Sequence, residues 1–253
     1  MGIYITGDTH GDFKRFTKKN LKKLPFKLTE KDYIIVCGDL GLLWEYNKTL
    51  DYNLNWLSSL PFKLLWVQGN HENYNMIEDF PLEEWRGGKA RHIVKDKIIL
   101  LERGQVFTIE NKTFFTFGGA ESHDIKDGIL DKADPDFKQK KKIAKKNGGY
   151  FRILNETWWK QELPTQAELE IGLSSLSKVS CKVDYIITHC VSTQAQNIIN
   201  ISQERKENNI LTQYFNKLEK EVKFKEWYFG HYHQDNTKHT KYKAVYKNII
   251  KLE

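Results

Sequence analysis

Leu64-Leu65-Trp66-Val67-Gln68-Gly69-Asn70-His71-Glu72 is an apolar run that breaks into a glycine followed by an amide and an imidazole. The run has the length and composition of a buried strand. The glycine frees the turn, Asn70 offers a neutral oxygen ligand, and His71 offers a titratable nitrogen. Four other places repeat the scheme. Ile3-Tyr4-Ile5 leads to Gly7-Asp8-Thr9-His10-Gly11, and Tyr33-Ile34-Ile35-Val36 to Gly38-Asp39-Leu40-Gly41. Tyr185-Ile186-Ile187 leads to Thr188-His189-Cys190, and Trp227-Tyr228-Phe229 to Gly230-His231-Tyr232-His233. Strands of one α/β sheet end on a common edge, so these residues are expected to converge although they lie far apart in the chain. Carboxylate, amide oxygen and imidazole suit hard to borderline divalent metals, in numbers sufficient for two ions. Singly, GDxH and GD read more readily as structural turns and His189 equally well as a satisfied strand-end histidine, whereas GNHE and GHYH are more specific. Their joint occurrence points to a two-metal phosphoester hydrolase.

The rest of the chain fits one α/β domain over residues 1–253. Up to residue 119, strands alternate with helices. Phe13, Phe16 and Leu21 among lysines suggest a short amphipathic helix, and Leu50 to Leu60 a longer one stopped by Pro61. His92–Val94, Ile98–Leu101, Gln105–Ile109 and Thr113–Phe117 read as short strands with hairpin turns between them, so an antiparallel portion follows a βαβ portion. Residues 120–164 break this rhythm and read as an insertion or cap-like segment. Thr165-Gln166-Ala167-Glu168 is a capping box that opens a helix reaching about Ser177. A strand from Val183 to Thr188, a helix over about 204–220, a strand at 226–229 and a last strand near 244–252 complete the reading.

Composition narrows the class. With 40% hydrophobic and 13% aromatic residues the chain is expected to be soluble and globular. No apolar stretch approaches the ~20 residues of a membrane span, and no secretory leader is visible. Cys37, Cys181 and Cys190 are too few and too scattered for a disulfide framework, so a cytoplasmic setting is expected. Forty Lys and Arg against 33 Asp and Glu give a net charge of +7, which suits an anionic partner such as nucleic acid or simply a lysine-rich solvated surface.

The ordered set GDxH, GD, GNHE, strand-end His and GHxH resembles the calcineurin-like metallophosphoesterase superfamily from Asp8 to His233. Gly118 to Asp124 (GGAESHD) and Trp158 to Pro164 (WWKQELP) are similar to segments of a bacterial or phage branch. The resemblance implies a four-layer αββα sandwich of two mixed β-sheets with flanking helices. It implies that Asp8, His10 and His233 hold one metal and that Asn70, His189 and His231 hold a second, with Asp39 bridging both. The implied reaction is attack of a metal-bridging hydroxide on a phosphodiester or phosphomonoester. His71 is then expected beside the leaving group, donating a proton or stabilising charge. The family uses manganese, iron, zinc or nickel, and an O/N donor set without cysteine favours manganese or iron.

One departure narrows the substrate. Protein Ser/Thr phosphatases and diadenosine-polyphosphate hydrolases of this superfamily carry an arginine soon after the second Gly-Asp; here Leu40-Gly41-Leu42-Leu43-Trp44 has none. Within the 120–164 segment, His123, Asp124, Arg152, Trp158 and Trp159 are candidates for substrate binding, the tryptophans by stacking on a base. Alternatively the tryptophans pack the segment against the sandwich and Lys138–Lys146 is a solvated face. A nuclease acting on RNA, DNA or cyclic nucleotides is the second reading. A non-catalytic scaffold of the same fold is a third, although a scaffold is expected to have lost ligands and here every ligand position is filled.

Overall fold

Each strand that leads to a ligand-type motif is apolar at consecutive positions, which requires cover on both faces. The computed structural model, which describes residues 1–252, provides it. In chain order the strands are β1 (Ile3–Thr6), β2 (Tyr33–Val36), β3 (Lys63–Trp66), β4 (Leu82–Trp85), β5 (Gly88–Val94), β6 (Ile98–Leu101) and β7 (Gln105–Ile109). They continue as β8 (Lys112–Phe117), β9 (Ile129–Leu130), β10 (Arg152–Ile153), β11 (Tyr185–Thr188), β12 (Glu226–Phe229), β13 (Tyr242–Ala244) and β14 (Ile250–Lys251). The helices are α1 (Lys18–Leu21), α2 (Lys48–Ser58), α3 (Tyr74–Glu78), α4 (Phe137–Asn147), α5 (Gln166–Lys178), α6 (Thr193–Ile198) and α7 (Ile210–Glu221).

The first sheet has the order β14-β1-β2-β3-β6-β5-β4, and the second β13-β12-β11-β8-β7. Both are mixed: the first has a parallel centre with antiparallel strands at both edges, and the second is parallel throughout except for β7 at one edge. Alternation along each strand sends neighbours to opposite faces. Ile5, Ile35 and Leu65 face Phe107, Phe114 and Ile187 of the other sheet and form the inter-sheet core. Tyr4, Ile34, Leu64 and Trp66 point outward onto Leu50 and Leu57 of α2 and Met76 and Ile77 of α3. Phe115, Phe117, Ile186 and Trp227 point outward from the second sheet onto α5, α6 and α7. The result is an αββα sandwich of four layers, as expected.

Parallel register brings the motif-bearing ends level. Thr6 pairs with Val36 and Val36 with Trp66, while Ile187 pairs with Tyr228. All five motifs therefore begin along one rim of the sandwich. Among the described residues, no helix is long and apolar enough to cross a membrane.

Several local expectations needed correction. The first amphipathic segment is a 3-10 turn over Phe13–Phe16 followed by the four-residue α1. The basic run within 120–164 is not irregular: it forms α4, held by a single buried side chain, Ala144. The helix expected from about 204 begins at Ile210, because the Asn209 side chain accepts from the Leu211 and Thr212 amides and sets the N-terminus there. The last strand is split into β13 and β14. β4 and α6 lie in stretches not assigned to any element. His92 is 9% exposed and packs against Trp85.

Candidate active site

The loops that follow the strand ends are held in unusual backbone conformations. His10, Asp39, His231 and His233 all have positive φ, between 47° and 65°. Non-glycine residues adopt this left-handed region at a cost, and such strain gathers at functional sites. The motifs also clasp one another. The His71 amide donates to Asp39 Oδ1 at 2.7 Å, and the His231 amide to Asp8 Oδ1 at 3.0 Å. Two glycines make these contacts feasible. A Cβ on Gly69 would lie 2.0 Å from Asp39 Oδ1, and one on Gly230 would lie 2.3 Å from Asp8 Oδ1. The glycine of one motif thus makes room for the carboxylate of another.

Two groups of donors result. Asp8 Oδ2 lies 3.3 Å from His233 Nε2 and 3.8 Å from His10 Nε2, and those two ring nitrogens are 2.9 Å apart. Asp39 Oδ2 lies 3.3 Å from His189 Nε2 and 3.7 Å from His10 Nδ1, so its carboxylate reaches both sides. Asn70 Oδ1 is 3.1 Å from His189 Nε2. His189 Nδ1 sits 2.7 Å from the Cys37 carbonyl, which can only accept. That nitrogen therefore carries a proton, and Nε2 faces the donors. Asp39 with His10 and His71, and Asp8 with Asp39 and His189, form further sets of metal-type side chains.

Asp8 and Asp39 are each 1% exposed. Among the described residues, the only cationic side chains within 4 Å of their carboxylate oxygens are imidazoles. Burial favours the neutral acid in Asp39, but His189, His71 and His10 outweigh it and hold the carboxyl well below the usual carboxylate range. Burial likewise works against Asp8, which His233 and His189 keep low. In His189 burial disfavours the charge, yet Asp39 and Asp8 draw its pKa up to about 10. Buried carboxylates this close together demand positive charge, and a divalent cation meets that demand with O and N donors already facing inward. The residues present fit a metal.

A cleft of about 180 Å³ opens onto these donors, lined by Asp39, Asn70, His71, His123, Asp124, Arg205, His231 and His233. Arg152 contacts two of the lining residues. Its Nε donates to Asp124 Oδ1 at 2.9 Å, its Nη2 also pairs with Asp124, and Nη2 lies 3.4 Å from His71 Nδ1. Burial pushes the His71 pKa down; Asp39 opposes this and the Arg152 charge reinforces it. His123 Nε2 lies 3.0 Å from His231 Nε2.

Of the two readings of the tryptophans, packing rather than stacking fits their burial. Trp159 is fully enclosed, edge-on to Trp44 with centroids 5.5 Å apart, so neither of its faces is open to a base. Trp158 is half-buried and does not line the cleft. The tryptophan segment packs against the sandwich instead.

Three supporting residues escaped the motif reading. Glu162 accepts from the Ser122 amide at 3.0 Å and from Ser122 Oγ at 2.7 Å, and Ser122 Oγ in turn accepts from Asn70 Nδ2 at 3.2 Å. This chain turns the Asn70 oxygen toward His189. Both residues lay within quoted segments, GGAESHD and WWKQELP, which was the available signal. Glu207 reaches His231 from a polar stretch, Gln203 to Asn209, that carries no motif. Glu72 orients the neighbouring loop by accepting from the Leu40 amide at 2.9 Å.

Comparison with known proteins identifies the family. The model of the calcineurin-like phosphoesterase family matches residues 1–235, and the chain belongs to that family. No curated protein matches it. Among solved structures, phosphopantetheinyl hydrolase (PptH) from Mycobacterium tuberculosis is similar over 97% of this chain and 89% of its own, at 15% identity and a TM-score of 0.45.

Proposed function

We propose that this calcineurin-like phosphoesterase hydrolyses a phosphodiester or phosphomonoester with two divalent ions bound along the rim of its sandwich. Asp8, His10 and His233 would hold one ion, and Asn70, His189 and His231 the other, with Asp39 shared. The placement of Asp39 carries the reading. Its Oδ2 faces His10 on one side and His189 on the other, while Oδ1 is fixed by the His71 amide. When bound, the two ions supply Lewis-acid stabilisation of phosphoryl charge and an activated water as nucleophile at neutral pH. Manganese or iron suits the donor set best, with zinc and nickel also compatible.

The protein's own side chains supply the rest. His71 lies at the cleft wall between Asp39 and Arg152, where it can donate a proton to the leaving oxygen or stabilise its charge. Arg152, oriented by Asp124, presents a fixed cation to a phosphoryl oxygen. Asp39→Ala or His71→Ala should abolish manganese-supported hydrolysis of bis-p-nitrophenyl phosphate while circular dichroism stays unchanged. Full activity in both variants would refute the assignment.

A nuclease is the second reading, favoured by basic grooves on two sides of the cleft. One combines Asp8 and His10 with Lys14, Lys23 and Lys247; the other combines Asp124 and Arg152 with Lys141 and Lys145. A polyanion crossing the site would meet lysines on both sides. Salt-dependent retention of short RNA or DNA that weakens in Lys141→Ala/Lys145→Ala supports it, and no retention at low salt removes it.

A further inference from the structure

His123, Glu207 and His231 come from three separate loops, after β8, before α7 and after β12. Their facing atoms are 3.0 Å apart for His123 Nε2 and His231 Nε2, and 2.8 Å apart for Glu207 Oε1 and His231 Nε2. Glu207 Oε1 and His123 Nε2 are separated by 3.9 Å. The Glu207 side chain is 1% exposed and that of His231 5%. Glu207 Oε2 accepts from the Glu121 amide at 3.1 Å and from Asn209 Nδ2 at 3.3 Å, whereas Oε1 is turned to His231 Nε2.

Protons alone do not satisfy this group. Two imidazole nitrogens facing at 3.0 Å share one hydrogen, donated by one ring to the other. Glu207 Oε1, 2.8 Å from the same His231 Nε2, competes for that hydrogen, so a single N–H cannot serve both His123 and Glu207. A cation accepts all three lone pairs together. Tetrahedral bonds of about 2.0–2.1 Å place donors about 3.3 Å apart, and the three observed separations bracket that value. His123, 31% exposed, leaves the fourth position open to water from the cleft.

We propose that His123, Glu207 and His231 form a third divalent-cation site, two imidazoles and one carboxylate suited to zinc, beside the proposed metal pair. The proposal shares only His231 with that reading. Nε2 serves the third site and Nδ1 remains for the pair; with both engaged, the ring binds as the imidazolate and releases its proton. A cation here would fasten the GGAESHD loop and the loop before α7 to the β12 motif. The walls of the cleft would then depend on its occupancy.

The test is ion stoichiometry of the full chain, stripped with chelator, reloaded with zinc and measured by native mass spectrometry. The wild type should hold three ions, and His123→Ala and Glu207→Gln two each. In cobalt-loaded protein, each variant should also lose the visible absorption of one tetrahedral site. Asp8→Asn/Asp39→Asn should remove the pair and leave one ion, which adding His123→Ala removes. If both single variants keep the wild-type count, the third site does not exist and Glu207 serves only to orient His231. If Asp8→Asn/Asp39→Asn keeps the wild-type count while His123→Ala loses one ion, the pair fails and the third site stands.

Discussion

Replacing Glu162 by glutamine should change how the stability of the fold depends on pH. Glu162 is 2% exposed and lies where the segment after β10 meets the cleft. Burial pushes its carboxyl up from 4.5 to about 8; the two bonds from Ser122 oppose the rise and the Asp39 charge adds to it. Between those values the native chain keeps a proton that the unfolded chain has released. The contribution is therefore fully present below pH 4.5 and is lost as pH rises through about 8. At ~1.36 kcal/mol per pH unit the full span comes to about 5 kcal/mol. Glutamine does not titrate and keeps an acceptor for Ser122. From pH 5 to pH 9 the wild type should lose about 4 kcal/mol more unfolding free energy than Glu162→Gln. Urea unfolding of chelator-treated protein at pH 5, 7 and 9 measures both curves, and their difference isolates Glu162 from every other titrating group. Parallel curves would refute the claim that a buried, protonated carboxyl holds Ser122 in place.

Two further outcomes follow from the site. Gly230→Ala places a Cβ 2.3 Å from Asp8 Oδ1 and 2.6 Å from the Cys37 carbonyl oxygen. It should cost about 1–3 kcal/mol in thermal unfolding and reduce bound metal, and wild-type metal content would show that the interlock is dispensable. Arg152→Ala should lower kcat/KM about 10- to 100-fold at unchanged metal stoichiometry, with little recovery in Arg152→Lys because the paired geometry with Asp124 is lost. Wild-type kinetics in Arg152→Ala would remove it from the reaction.

The five motifs were legible because their meaning is local. A strand that is apolar on both faces, a glycine and a metal-type side chain within a few residues already specify a strand end on a sandwich rim. Capping was equally local, and Thr165 and Glu168 form the reciprocal bonds that their spacing predicts. The failures share a cause as well. The reading extends the helix back to about 204, yet the Asn209–Thr212 capping box starts it at Ile210, and Glu207 turns inward onto His231, a neighbour only in space. Trp158 and Trp159 are chemically equivalent in sequence, and only packing against Trp44 decides which is enclosed.

What this sequence determines by itself is the chemistry of the site: carboxylates, an amide and imidazoles delivered at five strand ends, and no arginine after Asp39. Tertiary structure decides how those groups are used. It selects Nε2 of His189 by giving Nδ1 to a carbonyl from the other sheet, and turns Asn70 by way of Ser122 and Glu162. It also sets Glu207 against His231 and His123. Residue type and strand pattern are properties of neighbours along the chain. Burial, ring orientation and a carboxylate set against two imidazoles belong to neighbours in space.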